Sequence, residues 1–342
     1  MKALLEPIKE IARFDELFRD LKKGTAGVTV ISGCLESQKA HMIAGLSEDA
    51  PVRLLIAENE LKAKELYEDY RLYDAETLYY PAKDLIFYQA DIHGNLLIRQ
   101  RLQVIQALLE RKEVTIITSV GGCMDFLLPL GVFEKHCIHL RNDSELDLDK
   151  IRKELVRLGY ESTFQVESTG QFSVRGGILD FYAPAQQSPV RCEFFGDELD
   201  TMGYFDPITQ RRTENVDEAV LLPVAETEPH LHPQGISGLC EDLRAIIARQ
   251  QRRKTPNQAL IETLQKDCEA LENETLFASA DRYMALIYPE FTTAASYLPQ
   301  EAVVAFCDHG NLQRGEKDRA EEFGLLLDSF LTSGTLFGEL CD

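Results

Sequence analysis

Membrane-length apolar runs, paired cysteines and clustered metal ligands are all missing from this chain of 342 residues. No run approaches the roughly 20 apolar residues that a spanning helix needs. The start, Met1-Lys2-Ala3-Leu4-Leu5, is too short for a signal peptide. The eight cysteines, at 34, 123, 137, 192, 240, 268, 307 and 341, form no CxxC pair. Several fall on apolar faces, which fits reduced core thiols of a cytoplasmic protein better than a disulfide framework. Seven histidines do not cluster with them, so no metal and no cofactor is expected. Positive charge is scarce as well: 36 Lys and Arg face 57 Asp and Glu, a net charge of −21. That balance opposes tight non-specific binding to DNA phosphates. What remains, 44% hydrophobic and 27% charged, describes an ordinary globular chain long enough for two or three domains.

The first 120 residues alternate strand and helix patterns. Phe14, Leu17, Phe18 and Leu21 mark one face of a helix that Gly24 ends. Val28 to Ile31 reads as a short buried strand, followed by Ser32-Gly33-Cys34-Leu35-Glu36-Ser37-Gln38-Lys39-Ala40 and a helix. Strand, loop and helix in that order are those of a phosphate-binding loop, whose pattern wants Gly, four residues, Gly, Lys and then Ser or Thr. Gly33 and Lys39 are in place, but Gln38 replaces the second glycine and Ala40 the hydroxyl residue. A side chain then stands where backbone must approach phosphate, Ala40 offers nothing to Mg²⁺, and Glu36 adds negative charge. An ordinary strand-to-helix connection gives the same order. Either way no working ATP site is expected. Further strands are predicted at Pro51–Ala57, Thr77–Tyr80 and Val114–Thr118, with helices at Leu61–Tyr70 and through Ile98, Leu102, Ile105 and Leu109. The β-branched run at 114–118 is of the fully buried, parallel type. Tyr80, Phe87 and Tyr88 read as packing residues.

Gly121-Gly122 begins a change of domain, with a short docking helix expected at Phe126, Leu127 and Leu128. Asn142–Asp149 is an acidic turn that caps a helix with Ile151, Leu155 and Leu158 on its apolar face, stopped by Gly159. Gly170 to Arg212 then organises the centre: short strands around tight turns. Phe172 and Val174 alternate with Ser173 and Arg175. Gly176-Gly177 supplies a bulge or sharp bend before Ile178–Tyr182. Along Pro189–Phe195, Val190, Cys192 and Phe194 point one way, and Arg191, Glu193 and Phe195 the other. Gly196-Asp197 is a hairpin turn. Arginine beside an outward aromatic is the composition of protein–protein hot spots, although a plain hairpin covered by another domain has the same pattern. Four basic residues against six acidic ones make this stretch no DNA stripe.

The run GQFSVRGGILDFY, followed by PVRCEFFGDELDTMGYFDPITQRR, resembles the second domain of the UvrB-like module of bacterial transcription-repair coupling factors. The order strand–GG–strand–FFGDE–FDP–TQR, over some forty residues, carries that resemblance, which extends more weakly from about Leu54 through Pro223. It implies a degenerate helicase-like, doubly wound α/β domain at 1–120, a small α+β UvrA-binding domain at 121–214, and a second α/β segment at 215–342. It also implies that Arg175, Arg191 and Phe195 contact UvrA. The related repair protein UvrB inserts a long aromatic β-hairpin between strand and helix, for which the span Pro81–Asn95 is too short. Family members are much longer and carry an RNA-polymerase-binding domain and an ATP-driven DNA translocase. Neither is recognised here, so the chain reads as a fragment or isolated module, with RNA polymerase and DNA reached only through the missing parts.

Beyond residue 216 a strand is predicted at Ala219–Pro223. One helix carries Leu239, Leu243, Ile246 and Ile247, and another carries Leu260, Ile261, Leu264, Cys268 and Leu271. The basic run Arg249–Lys254 reads as a solvated helix end. Ala302–Cys307 is a last apolar strand, ending in Asp308-His309, where the family resemblance implies the remnant of an Asp-Glu Mg²⁺ site. His309 stands at the glutamate position and reads as an ordinary surface or satisfied histidine. The function expected is a UvrA-recruiting interaction module without catalysis of its own. The competing classes are a nucleotide-binding enzyme, against which Gln38 and Ala40 count, and a DNA-binding repair domain related to UvrB, against which the acidic balance counts.

Overall fold

A computed structural model describes residues 2–23, 27–83, 95–273, 280–288 and 290–333. The readings of Gly24, Phe87, Tyr88, the 84–94 span and Cys341 lie outside these residues. Among the described residues the strands, in chain order, are β1 (Val52–Ala57), β2 (Leu78–Tyr80), β3 (Val114–Ser119), β4 (Ile138–Arg141), β5 (Glu161–Ser162) and β6 (Gln171–Arg175). They continue as β7 (Ile178–Tyr182), β8 (Val190–Phe195), β9 (Glu198–Phe205), β10 (Arg212–Val216), β11 (Glu218–Leu221) and β12 (Val303–Phe306). Two compact units divide the chain. One comprises Met1–Asp84, Gln103–Leu127 and Thr292–Glu322; the other comprises Leu85–Leu102, Leu128–Phe291 and Phe323–Asp342.

The first unit is an α/β layer around a parallel sheet of order β12-β1-β3-β2. Every residue of β3 is buried, as a strand covered on both faces requires. The helix Glu36–Leu46 sets Ala40 and Ala44 against Leu55, Ala63, Tyr70 and Ile117, where small side chains allow close approach to the sheet. Asn59 caps the next helix, Glu60–Tyr70, by accepting the Lys62 N–H at 3.0 Å. The Glu60 carboxylate then accepts from the Tyr79 hydroxyl at 2.6 Å and from Ser119 Oγ, which ties the ends of β2 and β3 to that helix.

Two local expectations are corrected here. Val28–Ile31 forms no strand: Val28 is 88% and Val30 85% exposed. Both flanks of β1 are taken, by β12 and β3, and among the described residues the segment finds no ladder. Apolar character alone does not make a strand without backbone pairing. Phe126–Leu128 is extended rather than helical, with Leu127 exchanging backbone bonds with Thr292 at 2.9 and 2.7 Å. Leu128 precedes Pro129, whose ring disfavours helical backbone at the residue before it. Short helices lie on either side, at Val120–Met124 and Leu130–Glu134.

The second unit is α+β and is built on a six-stranded sheet of order β10-β9-β8-β7-β6-β5. Its core face carries Phe172, Leu179, Phe181, Val190, Cys192, Leu199 and Met202, all buried. Gly176, with φ +60°, makes the tight turn that pairs Arg175 with Ile178. Glu193 pairs with Thr201 but Phe194 with Leu199, so Asp200 is the extra residue of a bulge on β9. Leu199 and Met202 thereby both face inward while β8 keeps its regular alternation. Asp147 caps the helix Leu148–Arg157 through the Lys150 N–H at 3.1 Å, and Ile151, Leu155 and Leu158 are buried as their spacing predicts. The strand expected at Ala219–Pro223 is β11, which pairs antiparallel with β4; the parallel sheet is rejoined only at β12. The helices Gly235–Gln251 and Gln258–Glu272 pack on each other through the predicted leucines and isoleucines.

Within this unit Arg101 is fully buried and its Nε donates to Glu226 Oε2 at 2.9 Å. Removing one partner of a buried pair leaves the other desolvated and uncompensated. Arg101→Met is therefore expected to destabilise this unit by about 3–5 kcal/mol, measured by chemical denaturation.

Candidate functional site

The outer face of the six-stranded sheet is built in cross-strand rows. One row runs Ser173, Asp180, Arg191 and Gly203; the next runs Arg175, Ile178, Glu193 and Thr201. Phe195 lies two residues beyond Glu193 on the same face of β8. Asp180 sits in the middle of this face with its side chain wholly buried. Arg175 Nη2 donates to Asp180 Oδ2 at 2.9 Å. Arg191 grips the same carboxylate with two bonds, Nε to Oδ1 at 2.7 Å and Nη2 to Oδ2 at 2.8 Å. Such planar, two-point pairing is the strongest form of the charge-assisted hydrogen bond.

The two arginines differ in what they leave free. The Arg191 side chain is only 18% exposed: Nη1 also donates to the Gln210 carbonyl at 3.2 Å, and its guanidinium lies over the buried Phe205 ring at 4.6 Å. The bond to Asp180, working against partial burial, holds the Arg191 pKa above the ordinary arginine value. Arg175 is 39% exposed, and its guanidinium lies 5.6 Å from the centre of the Phe164 ring. Phe195, at 84% exposure, projects into solvent past the end of the ladder. Arg212 adds a third ion pair, donating from Nη1 to Glu193 Oε1 at 3.2 Å. A Cβ on Gly203 would meet Arg212 Nε at 2.3 Å, so only glycine lets that side chain cross β9. Thus Arg175 and Arg191 are brought together through a carboxylate, and Phe195 shares their face without sharing their bonds.

Sequence reasoning missed Asp180, Phe164, Phe205 and Gln210. For Asp180 the signal was present: a two-residue turn at Gly176-Gly177 fixes the register and sets a lone acid, inside an apolar strand, between Ser173 and Arg191. Phe164 and Gln210 lie in loops, where no periodicity marks them.

The loop read from the sequence as a degenerate phosphate-binding loop lies in the other unit. Gly33 takes φ +85° with open space around its Cβ position, so the turn alone demands glycine. The Gln38 side chain accepts the Leu35 N–H at 3.0 Å, occupying an amide of the kind a phosphate would use. Lys39 Nζ is 2.6 Å from Glu36 Oε1 and 3.9 Å from Asp308 Oδ2. Partial burial works against the Lys39 charge, but these carboxylates outweigh it and hold its pKa above the ordinary lysine value. Ala40 is core. Asp308 also accepts the Asn311 N–H at 3.3 Å at the start of the helix His309–Ser333, in which His309 is the first residue. Among the described residues no group of three or more His, Cys, Asp or Glu is placed to hold a metal ion, and no helix is long and apolar enough to cross a membrane.

Residues 138–226, from β4 through β11 and including this outer face, match the model of the UvrB interaction domain family. Beyond that segment, 98% of the chain aligns at 29% identity with a transcription-repair-coupling factor of Staphylococcus aureus (strain USA300). A transcription-repair-coupling factor of Staphylococcus haemolyticus (strain JCSC1435) is 27% identical over 90% of the chain. The resemblance expected from the central motifs is thereby shown. The chain spans 29% and 26% of these relatives' lengths.

Asp180→Ala takes three hydrogen bonds from two partly exposed arginines and is expected to cost about 1–3 kcal/mol. Glu193→Ala, which breaks a half-exposed pair on the same face, is expected to cost less than about 1 kcal/mol. Denaturant midpoints of the two variants check the contrast.

Proposed function

We propose that this chain is the module through which a transcription-repair coupling factor recruits UvrA in transcription-coupled nucleotide excision repair. It does so with a degenerate nucleotide site and no catalysis of its own. The observation that carries the reading is an ordered cationic and aromatic face, Arg175 and Phe195 outermost, inside the segment that matches the UvrB interaction domain family. Phe195 gains nothing for the fold at 84% exposure and gains burial on docking. Arg175 keeps donors free for partner carboxylates, whereas Arg191 acts mainly by fixing the face from below. In this reading the α+β domain, 121–214, is the recruiting element and the α/β unit a helicase-like scaffold. RNA polymerase and DNA engage other parts of a longer protein. The closed Lys39–Glu36 pair and the Gln38 cap support the absence of ATP binding.

Arg175→Ala and Phe195→Ala are each expected to weaken UvrA binding by about 2 kcal/mol or more while melting with the parent chain. Arg191→Ala is expected to lose stability as well as binding, because Asp180 stays buried with one bond left. Titration with purified UvrA, beside thermal melts, measures both; unchanged affinity for Arg175→Ala and Phe195→Ala contradicts the reading. Equilibrium dialysis with Mg·ATP is expected to show no saturable binding, and micromolar binding lost on Lys39→Ala contradicts the degenerate site.

A further inference from the structure

The loop that leaves β5 carries Phe164, which is 82% exposed. Single exposed apolar residues are common and need no explanation. This one differs in how firmly it is held. The buried Ser173 hydroxyl donates to the Phe164 carbonyl at 3.0 Å, and Thr163 N–H donates to the Phe172 carbonyl at 2.8 Å. Thr163 Oγ1 donates to the Gln165 carbonyl at 3.0 Å, and Gln210 Nε2 to the Val166 carbonyl at 3.3 Å. Ser173 stands in the same cross-strand row as Asp180 and Arg191, so the loop is fastened to the arginine face itself. An aromatic fixed in place before binding loses little conformational freedom when a partner covers it.

We infer that Phe164 is a second aromatic anchor of this face, entering an apolar cleft on the partner whose rim supplies carboxylates to Arg175. The occupant is the partner of the proposed function, UvrA, and the inference rests on that reading. The Arg175 guanidinium lies 5.6 Å from the centre of the Phe164 ring, within cation–π range, so ring and charge are presented as one unit. A cleft that takes the ring therefore receives the cation at its edge. Phe164, beside β6, and Phe195, at the end of β8, then lie toward the same strand end of the sheet with β7 between them in the strand order.

The test measures UvrA affinity of the full chain with Phe164→Ala and, as control, Phe195→Ala. Phe164→Ala is expected to weaken binding about tenfold or more with an unchanged melting temperature, as an exposed residue allows. Parent-like affinity for Phe164→Ala beside a weakened Phe195→Ala overturns the second anchor and leaves UvrA recruitment standing. No binding by the unmodified chain removes both. If Phe164→Ala also lowers the melting temperature, a photo-crosslinking phenylalanine analogue at position 164 decides. Capture of UvrA supports the anchor; capture from position 195 but not from 164 overturns it.

Discussion

A carboxylate buried between two guanidinium groups is what the outer face of the six-stranded sheet depends on. Stripping water from Asp180 costs several kcal/mol, and three charge-assisted hydrogen bonds from Arg175 and Arg191 offset that cost. The geometry is exacting because all three residues are set by strand register, Ser173 opposite Asp180 and Asp180 opposite Arg191. A one-residue slip would turn Asp180 into the apolar core and Leu179 out to water. The ion-pair cluster therefore specifies the pairing of β6, β7 and β8 as well as stabilising it. It also flattens two long flexible side chains into a fixed surface from which Arg175 still reaches outward.

The chain's charge works with this arrangement. A net charge of −21 opposes tight non-specific binding to nucleic acid phosphates, yet this face concentrates Arg175, Arg191 and Arg212. Arg175 and Arg191 share Asp180 and Arg212 pairs with Glu193, so the face keeps local positive edges without a broad cationic field. That combination favours a specific acidic protein surface over a polyanion. In the other unit the same economy of charge works toward closure. Lys39 turns to Glu36 and Asp308, and the Gln38 side chain caps the loop that a phosphate would enter.

Much of this was legible in the sequence because it rests on periodicity. The alternation in Val190–Phe195 placed Arg191 and Phe195 outward, and the structure keeps that alternation since the bulge falls on β9. The helix faces of Ile151, Leu155 and Leu158 and of Leu239, Leu243 and Ile246 follow their spacing. What failed depends on partners far along the chain. Val28–Ile31 has strand composition but pairs with no strand among the described residues. Arg191 looked like a free contact residue because alternation gives the side of the sheet and not what covers it. One covering group, Gln210, comes from a turn whose placement only the folded chain fixes.

The claim that one preorganised sheet face receives the partner is tested most directly by hydrogen–deuterium exchange of the full chain with and without UvrA. The account predicts slowed exchange in segments 163–168, 171–182 and 190–195, with segment 32–40 unchanged. Protection confined to segment 32–40, with the sheet exchanging as before, would contradict it.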